Sequence, residues 1–226
     1  IQLGLGRGAF PYEFIRYGVP FDKSREIFDE SLAVLQALLT ERDVSWNSER
    51  YKFDSLTIMP RPIQKPHPPL WIAAMAPMAL YHCAKRGFNV QTTPLQGSKR
   101  MAEEQVESFS KGFADSGLAD RPRLSLLRMG FCTRDDAHTA EILDHGATYW
   151  QRFDNVFTTD GTIHGGAIQG IEIAESREDL AERLFVGTSE QLIEKFRDYA
   201  DLGVDEINLN MLCGASHEEV MESTER

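Results

Sequence analysis

Apolar residues along the chain fall into two rhythms. Ile1, Leu3 and Leu5 occupy every second position, the period of a strand with one buried face, and Ile207, Leu209 and Met211 repeat it near the other end. Apolar runs at 70–74, 88–93 and 124–132 read as further strands, so with 1–6 and 206–212 the pattern predicts five. Between them the period lengthens to that of a helix. Phe28, Leu32, Leu35 and Leu39, widened by Ile27, Val34 and Leu38, predict a long helix over about 22–41 with Asp22 as its N-cap. Shorter helices are expected over 76–86, 99–116, 135–153 and 188–202. The last carries a capping box, Thr188 with Gln191, and stops at Gly203.

Strands alternating with helices at this spacing predict parallel β-α units. Two architectures satisfy the pattern, an open doubly wound sheet and part of an eight-stranded β/α barrel. A whole barrel takes about 250 residues; five units with long connections in 226 residues fit the C-terminal five-eighths of one. The expected fold class is α/β, a partial (β/α)8 TIM-type barrel of about five β-α units with the first three missing, in a single domain over 1–226. The chain opens on Ile1 inside a strand rhythm and without an initiator Met, which leads to the expectation that further sequence precedes it. Two stretches break the rhythm. Residues 46–64 are polar and strand-prone and run into a series of prolines ending at Pro69, and 158–175 is a Gly-rich excursion.

Charge narrows the function classes. With 24 basic against 35 acidic side chains the net charge is −11, which argues against general nucleic-acid binding and a basic membrane-surface role. No apolar run approaches the roughly 18 residues of a spanning helix. Cys83, Cys132 and Cys213 are far apart and odd in number, giving neither a disulfide frame nor a metal spacing. A cytoplasmic setting is expected, and no metal.

The opening Gly4-Leu5-Gly6-Arg7-Gly8-Ala9 matches a dinucleotide fingerprint on paper, but that motif needs a helix starting inside the glycine run. Here Pro11 and a run of aromatics follow, and the next predicted helix waits until about residue 22. A second reading places Arg7 at the C-terminal mouth of a strand, between glycines that let a ligand approach the backbone. Ser24 and Arg25 fall in the first turn of the following helix. A cation there opposes the macrodipole and calls for a partner: an anionic ligand, or a carboxylate such as Glu26 or Asp29. Two guanidiniums at one mouth would make a phosphate clamp. Residues 70–77 end a strand in small side chains, with Pro77 opening a helix whose first amides could meet the same anion.

These residues carry a resemblance. Gly4-Leu5-Gly6-Arg7-Gly8, Glu13-Phe14, Tyr17-Gly18 and Ser24-Arg25 resemble the bacterial luciferase-like, flavin-dependent monooxygenase family. So do Tyr51, Pro60-Arg61-Pro62-Ile63-Gln64 and Pro68-Pro69-Leu70-Trp71-Ile72-Ala73, and the closing unit from Gly187-Thr188 through Tyr199 to Asp205. The resemblance implies a barrel entered at its fourth strand that binds reduced FMN. Arg7 and Arg25 would hold the flavin phosphate, Ala9 would lie beside the cofactor, and Met75 and Ala76 would offer backbone amides. Ala74 and Met75 depart from luciferase, which has Glu and Ser there, although an amide contact needs no side chain.

The activity so implied is oxygenation of a small organic substrate with reduced FMN and dioxygen, beside apolar and aromatic walls (Phe10, Phe14, Tyr17, Trp71). A flavin reductase would supply the cofactor, and a homo- or heterodimer is expected of the full-length protein. No catalytic acid or base is carried over, and the segment alone could be inactive. The alternatives are a deazaflavin-dependent hydride-transferring relative, a non-catalytic flavin-binding subunit, and an unrelated open-sheet nucleotide binder. Of the histidines, His164 is the one candidate substrate-side group; His138, His145 and His217 are expected in solvent, and His82 and Cys83 in packing. Met75, Met78, Met129 and Met211 read as core filler.

Overall fold

The computed structural model describes residues 1–95, 99–158, 161–172, 176–211 and 214–226. It divides into two compact units, Ile1–Trp71 and Ile72–Arg226. The first holds β1 (Leu3–Leu5), α1 (Pro11–Arg16), α2 (Ser24–Thr40), the antiparallel pair β2 (Val44–Asn47) and β3 (Lys52–Leu56), and the start of β4 (Leu70–Ala73). The second continues with α3 (Pro77–Lys85), β5 (Asn89–Thr92), α4 (Lys99–Ala114), β6 (Leu124–Cys132) and α5 (Asp136–Thr158). Then come the two-residue strands β7 (Ile163–His164) and β8 (Ala167–Ile168), α6 (Arg177–Arg183), β9 (Phe185–Gly187), α7 (Ser189–Leu202), β10 (Glu206–Asn210) and α8 (His217–Glu225).

In the first unit, α2 buries Leu32, Val34 and Leu39 from its apolar stripe. Its last carbonyls, Leu38 O and Leu39 O, accept from the Arg61 guanidinium at 2.7 and 3.1 Å, so an arginine of the Pro-Arg-Pro run caps the C-terminal end of the helix. Asp22 is not the N-cap: Lys23 occupies that position without a bond from its side chain. Residues 21–23 are already turned, Lys23 N–H donating to Pro20 O and Ser24 N–H to Phe21 O, so no extended residue is left to cap. The aromatic loop also differs from expectation, because α1 begins at Pro11, in its first turn. At six residues it is too short to show a helical period.

The second unit is organised by β6, whose nine residues pair in parallel with three strands. Leu124–Leu126 meet β5, Ser125–Met129 meet β10, and Gly130–Cys132 meet β9. Its even positions Leu124 and Leu126 join a buried cluster with Val90, Phe109 and Tyr199; Met129 and Phe131 join another with Ile142, Trp150 and Leu184. Covered on both faces, the strand reads as a near-continuous apolar run. β9 escaped the sequence pattern because three buried residues show no alternation. Leu212 and Cys213 lie outside the described residues.

Three single-residue expectations change. His138 is 3% exposed, edge-on to Phe131, with Nδ1 accepting from Arg134 N–H. Met78 is exposed on α3, whereas Met129 is core. His82 is exposed. Among the described residues no group of His, Cys, Asp and Glu could hold a metal, and no helix is long and apolar enough to cross a membrane.

Two tight spots yield predictions. A Cβ on Gly112 of α4 would stand 2.2 Å from the Tyr81 carbonyl oxygen of α3, a backbone atom that cannot step aside. Gly112→Ala should therefore destabilise the protein by about 3 kcal/mol, measured by urea unfolding. Lys195 of α7 donates to Ala181 O at 2.6 Å and Leu184 O at 2.5 Å, closing the C-terminal end of α6. Burial, then the nearby Arg128 guanidinium, pulls its ammonium down to about 8. An unfolded lysine titrates near ~10.4, so between those values the unfolded chain binds more protons and stability rises with pH. The urea midpoint should carry that rise from about pH 8 to 10.4, and Lys195→Met should lack it.

Candidate functional site

Arg7 follows β1 and is flanked by Gly6 and Gly8. Its Nη1 donates to Ser24 Oγ at 2.8 Å, and Ser24 Oγ in turn donates to Phe21 O at 2.5 Å. The guanidinium carbon lies 5.4 Å from the centroid of the Phe21 ring, and Phe14 meets Phe21 edge-on at 5.0 Å. Gly8 is required beneath this stack. Its φ is +92°, and an added Cβ would fall 2.9 Å from Phe14 Cζ. A buried serine, an aromatic face and a glycine thus hold one exposed arginine in one orientation. The other N–H groups of Arg7 have no protein partner among the described residues.

Arg7 and Ser24 line a cavity of about 280 Å³ within the first unit. Its walls are apolar, with Leu5, Phe14, Phe28 and Leu32 prominent, and Ser31 is the remaining polar group. Ser31 is already engaged, donating to Ile27 O at 2.7 Å and meeting Tyr51 Oη at 2.8 Å. The volume sits at the lower end of the roughly 300–1,000 Å³ of small-molecule pockets, room for a headgroup or part of a ligand.

The other expected residues are placed as follows. Arg25 is exposed in the first turn of α2, next to Ser24, and makes no hydrogen bond or ion pair among the described residues. The carboxylate partner that would have neutralised it is absent there. Ala9 is exposed in the segment before α1, outside the cavity lining. Of the four expected walls, Phe14 alone lines the cavity. Phe10 is half-buried beside Tyr12, Tyr17 is 83% exposed, and Trp71 is buried with its indole N–H on Gln2 Oε1. His164 is exposed on β7.

Met75 and Ala76 belong to the second unit, in the turn between β4 and α3. Ala76 is the N-cap and Pro77 the first helical residue. The amides of Ala76 and Met78 have no acceptor among the described residues, and Pro77 has no N–H, so this helix end is short of partners. Gln105, absent from the residues that the sequence pattern singles out, packs behind the turn. It is fully buried, and its Nε2 donates to Met75 O at 2.8 Å and Thr93 O at 3.2 Å. A signal existed: Gln105 interrupts the apolar stripe Ala102, Val106, Phe109 of α4 with a polar residue.

Chemically, these groups can bind an anion: one oriented guanidinium and one unpaired guanidinium in the first unit, and exposed helix-start amides in the second. A flavin phosphate fits such donors, since Arg7 retains N–H groups that nothing in the protein uses among the described residues.

Known proteins agree with the fold. A flavin-dependent trigonelline monooxygenase, oxygenase component, of Acinetobacter baylyi is 25% identical over 235 residues, covering all of this chain and 65% of that protein. The chain thus spans 65% of that relative's length. The structure of monooxygenase RslO1 from Streptomyces bottropensis superposes with a TM-score of 0.80 at 21% identity, over 99% of this chain and 65% of that one. An F420-dependent secondary alcohol dehydrogenase superposes with a TM-score of 0.70 at 14% identity, over 92% of this chain and 63% of that one. The structural likenesses establish an α/β fold with a parallel central sheet. The model of the luciferase-like monooxygenases matches residues 1–206, and the chain belongs to that family.

Proposed function

We propose that the chain binds the phosphate of reduced FMN and serves a monooxygenase acting on a small organic substrate. The observation that carries the reading is the Arg7 guanidinium, oriented by Ser24 and Phe21 with most of its donors unspent, in a chain of net charge −11. In such a chain a cation left without a carboxylate is available to an anion from outside. Arg25, which has no ion-pair partner among the described residues, is proposed as a second phosphate ligand with Ala9 beside the cofactor; in the second unit the Met75 and Ala76 amides are proposed as anion donors. Reduced FMN would supply two electrons, so that one atom of dioxygen enters the substrate and the other leaves as water. The chain's own residues bind, orient and exclude water; no acid or base is assigned to it. The β-α units, six strands with β9 included, are read as part of one luciferase-like barrel domain over 1–226. An oxygenase component by name among the relatives supports a partner reductase, and a dimeric, cytoplasmic assembly completes the reading.

A second reading is favoured by the alcohol dehydrogenase likeness: a deazaflavin cofactor and hydride transfer. Dioxygen consumption above the cofactor's own autoxidation with reduced FMN supports the first reading, and its absence with turnover on a deazaflavin supports the second. For the clamp itself, Arg7→Ala and Arg25→Ala should each weaken FMN binding about tenfold or more, from loss of a charge-assisted bond, while leaving riboflavin affinity unchanged. Fluorescence titration with the two flavins measures both. Undiminished FMN affinity in both variants overturns the reading.

A further inference from the structure

We infer that Gln105 is a positioning residue that fixes the direction of the Met75–Ala76 peptide, holding the Ala76 amide outward for an anionic oxygen. The inference rests on the phosphate reading above and adds a residue that touches no ligand.

The geometry starts from the side-chain amide. Both of its bonds run to carbonyl oxygens, which can only accept, so the nitrogen and oxygen of Gln105 are assigned without ambiguity. One bond pins Met75 O in the turn after β4; the other pins Thr93 O in the segment after β5. Among the described residues the cis peptides are Met59-Pro60 and Lys65-Pro66, so the Met75–Ala76 bond is trans. In a trans peptide the C=O and the following N–H point in opposite directions. Met75 O turned in toward buried Gln105 therefore turns the Ala76 N–H away from it. That N–H has no acceptor among the described residues, and it precedes a nine-residue helix whose positive end adds to its pull on an anion.

Two further facts argue that Gln105 does more than fill space. Its Oε1 is buried without a hydrogen-bond partner, a cost that an apolar residue of the same length would avoid. Its helix is also locked to α3: Gly112 brings the two so close that no side chain fits between them and the Tyr81 carbonyl. A donor mounted on an element that cannot shift holds a peptide to fractions of an ångström, the tolerance an anion contact needs.

The test compares FMN with riboflavin, which lacks the phosphate, on the 226-residue protein. Gln105→Met keeps the length and removes the donor. FMN affinity should fall roughly tenfold with riboflavin affinity unchanged, because the peptide is free to rotate its N–H off the phosphate. A purely structural role would lower both affinities together, and that result overturns the inference. If the parent prefers FMN and Gln105→Met keeps the full preference, Gln105 is not the positioning residue while the phosphate reading stands. If the parent itself binds both flavins equally, the phosphate reading fails first. Should Gln105→Met not fold, the unaltered protein decides by nuclear magnetic resonance with inorganic phosphate as the probe. The Ala76 amide signal should move with phosphate while the Gln105 side-chain amide protons stay protected from exchange. An Ala76 signal that does not move, or Gln105 protons that exchange freely, overturns the inference.

Discussion

Everything in the second unit hangs on the ladder that β6 shares with three neighbours. One strand supplies hydrogen bonds to β5 and β10 along its first half and to β9 at its end, so those strands are placed by a single backbone. Gly130 eases the sharing: a Cβ there would lie 2.6 Å from Leu209 Cδ2 and 3.2 Å from Phe185 Cβ, where side chains of β10 and β9 close in. With its even and odd residues in different clusters, β6 cannot slip by one position without exchanging the two. Strands that run the same way also end on the same side. That is why one glutamine on α4 reaches the turn after β4 and the segment after β5 at once.

Much of this was legible in the sequence, for a physical reason in each case. The long stripe of α2 and the capping box of α7 are local signals, and both elements lie where the pattern put them to within two residues. α1, β9 and the β7–β8 pair were not legible: six residues are too few for a helical period, β9 is buried throughout and shows no alternation, and two-residue strands complete no period. His138 departs from its local pattern for a different reason. Arg134, Asp135, Asp136 and Glu141 lie near it in sequence, but the Phe131 ring from β6 covers it, and no local pattern records a contact made across the fold.

The site divides along the same line. Arg7 was visible because glycines around a cation at a strand end are a local arrangement. Its orientation was not, since Ser24 is 17 positions away and only the turn at 21–23 brings its hydroxyl back to the guanidinium. The acid surplus gives that orientation meaning. Arg50 lies 2.6 Å from Glu30, Arg121 2.6 Å from Asp205, and Arg177 2.7 Å from Asp144, as 35 carboxylates facing 24 bases would lead one to expect. Among the described residues Arg7 and Arg25 escape that pairing. Exposed pairs contribute only about 0–1 kcal/mol each, so keeping two guanidiniums out of them costs little stability while leaving two charges free to bind.

A clamp of this kind reads a phosphate and nothing of the ring attached to it. Guanidiniums and helix-start amides respond to the charge and shape of an anion, and the chemistry of a flavin or a deazaflavin lies several bonds away from that contact. The same fold is found in a protein named a monooxygenase and in one named an F420-dependent alcohol dehydrogenase, so the fold by itself does not select the reaction. In the proposed reading the contacts are generic ones: in the first unit an arginine set by a buried serine, and in the second a peptide set by a buried glutamine. None of these contacts would depend on which substrate is brought to the ring, so a phosphate anchor of this kind would leave the choice of reaction to the rest of the site.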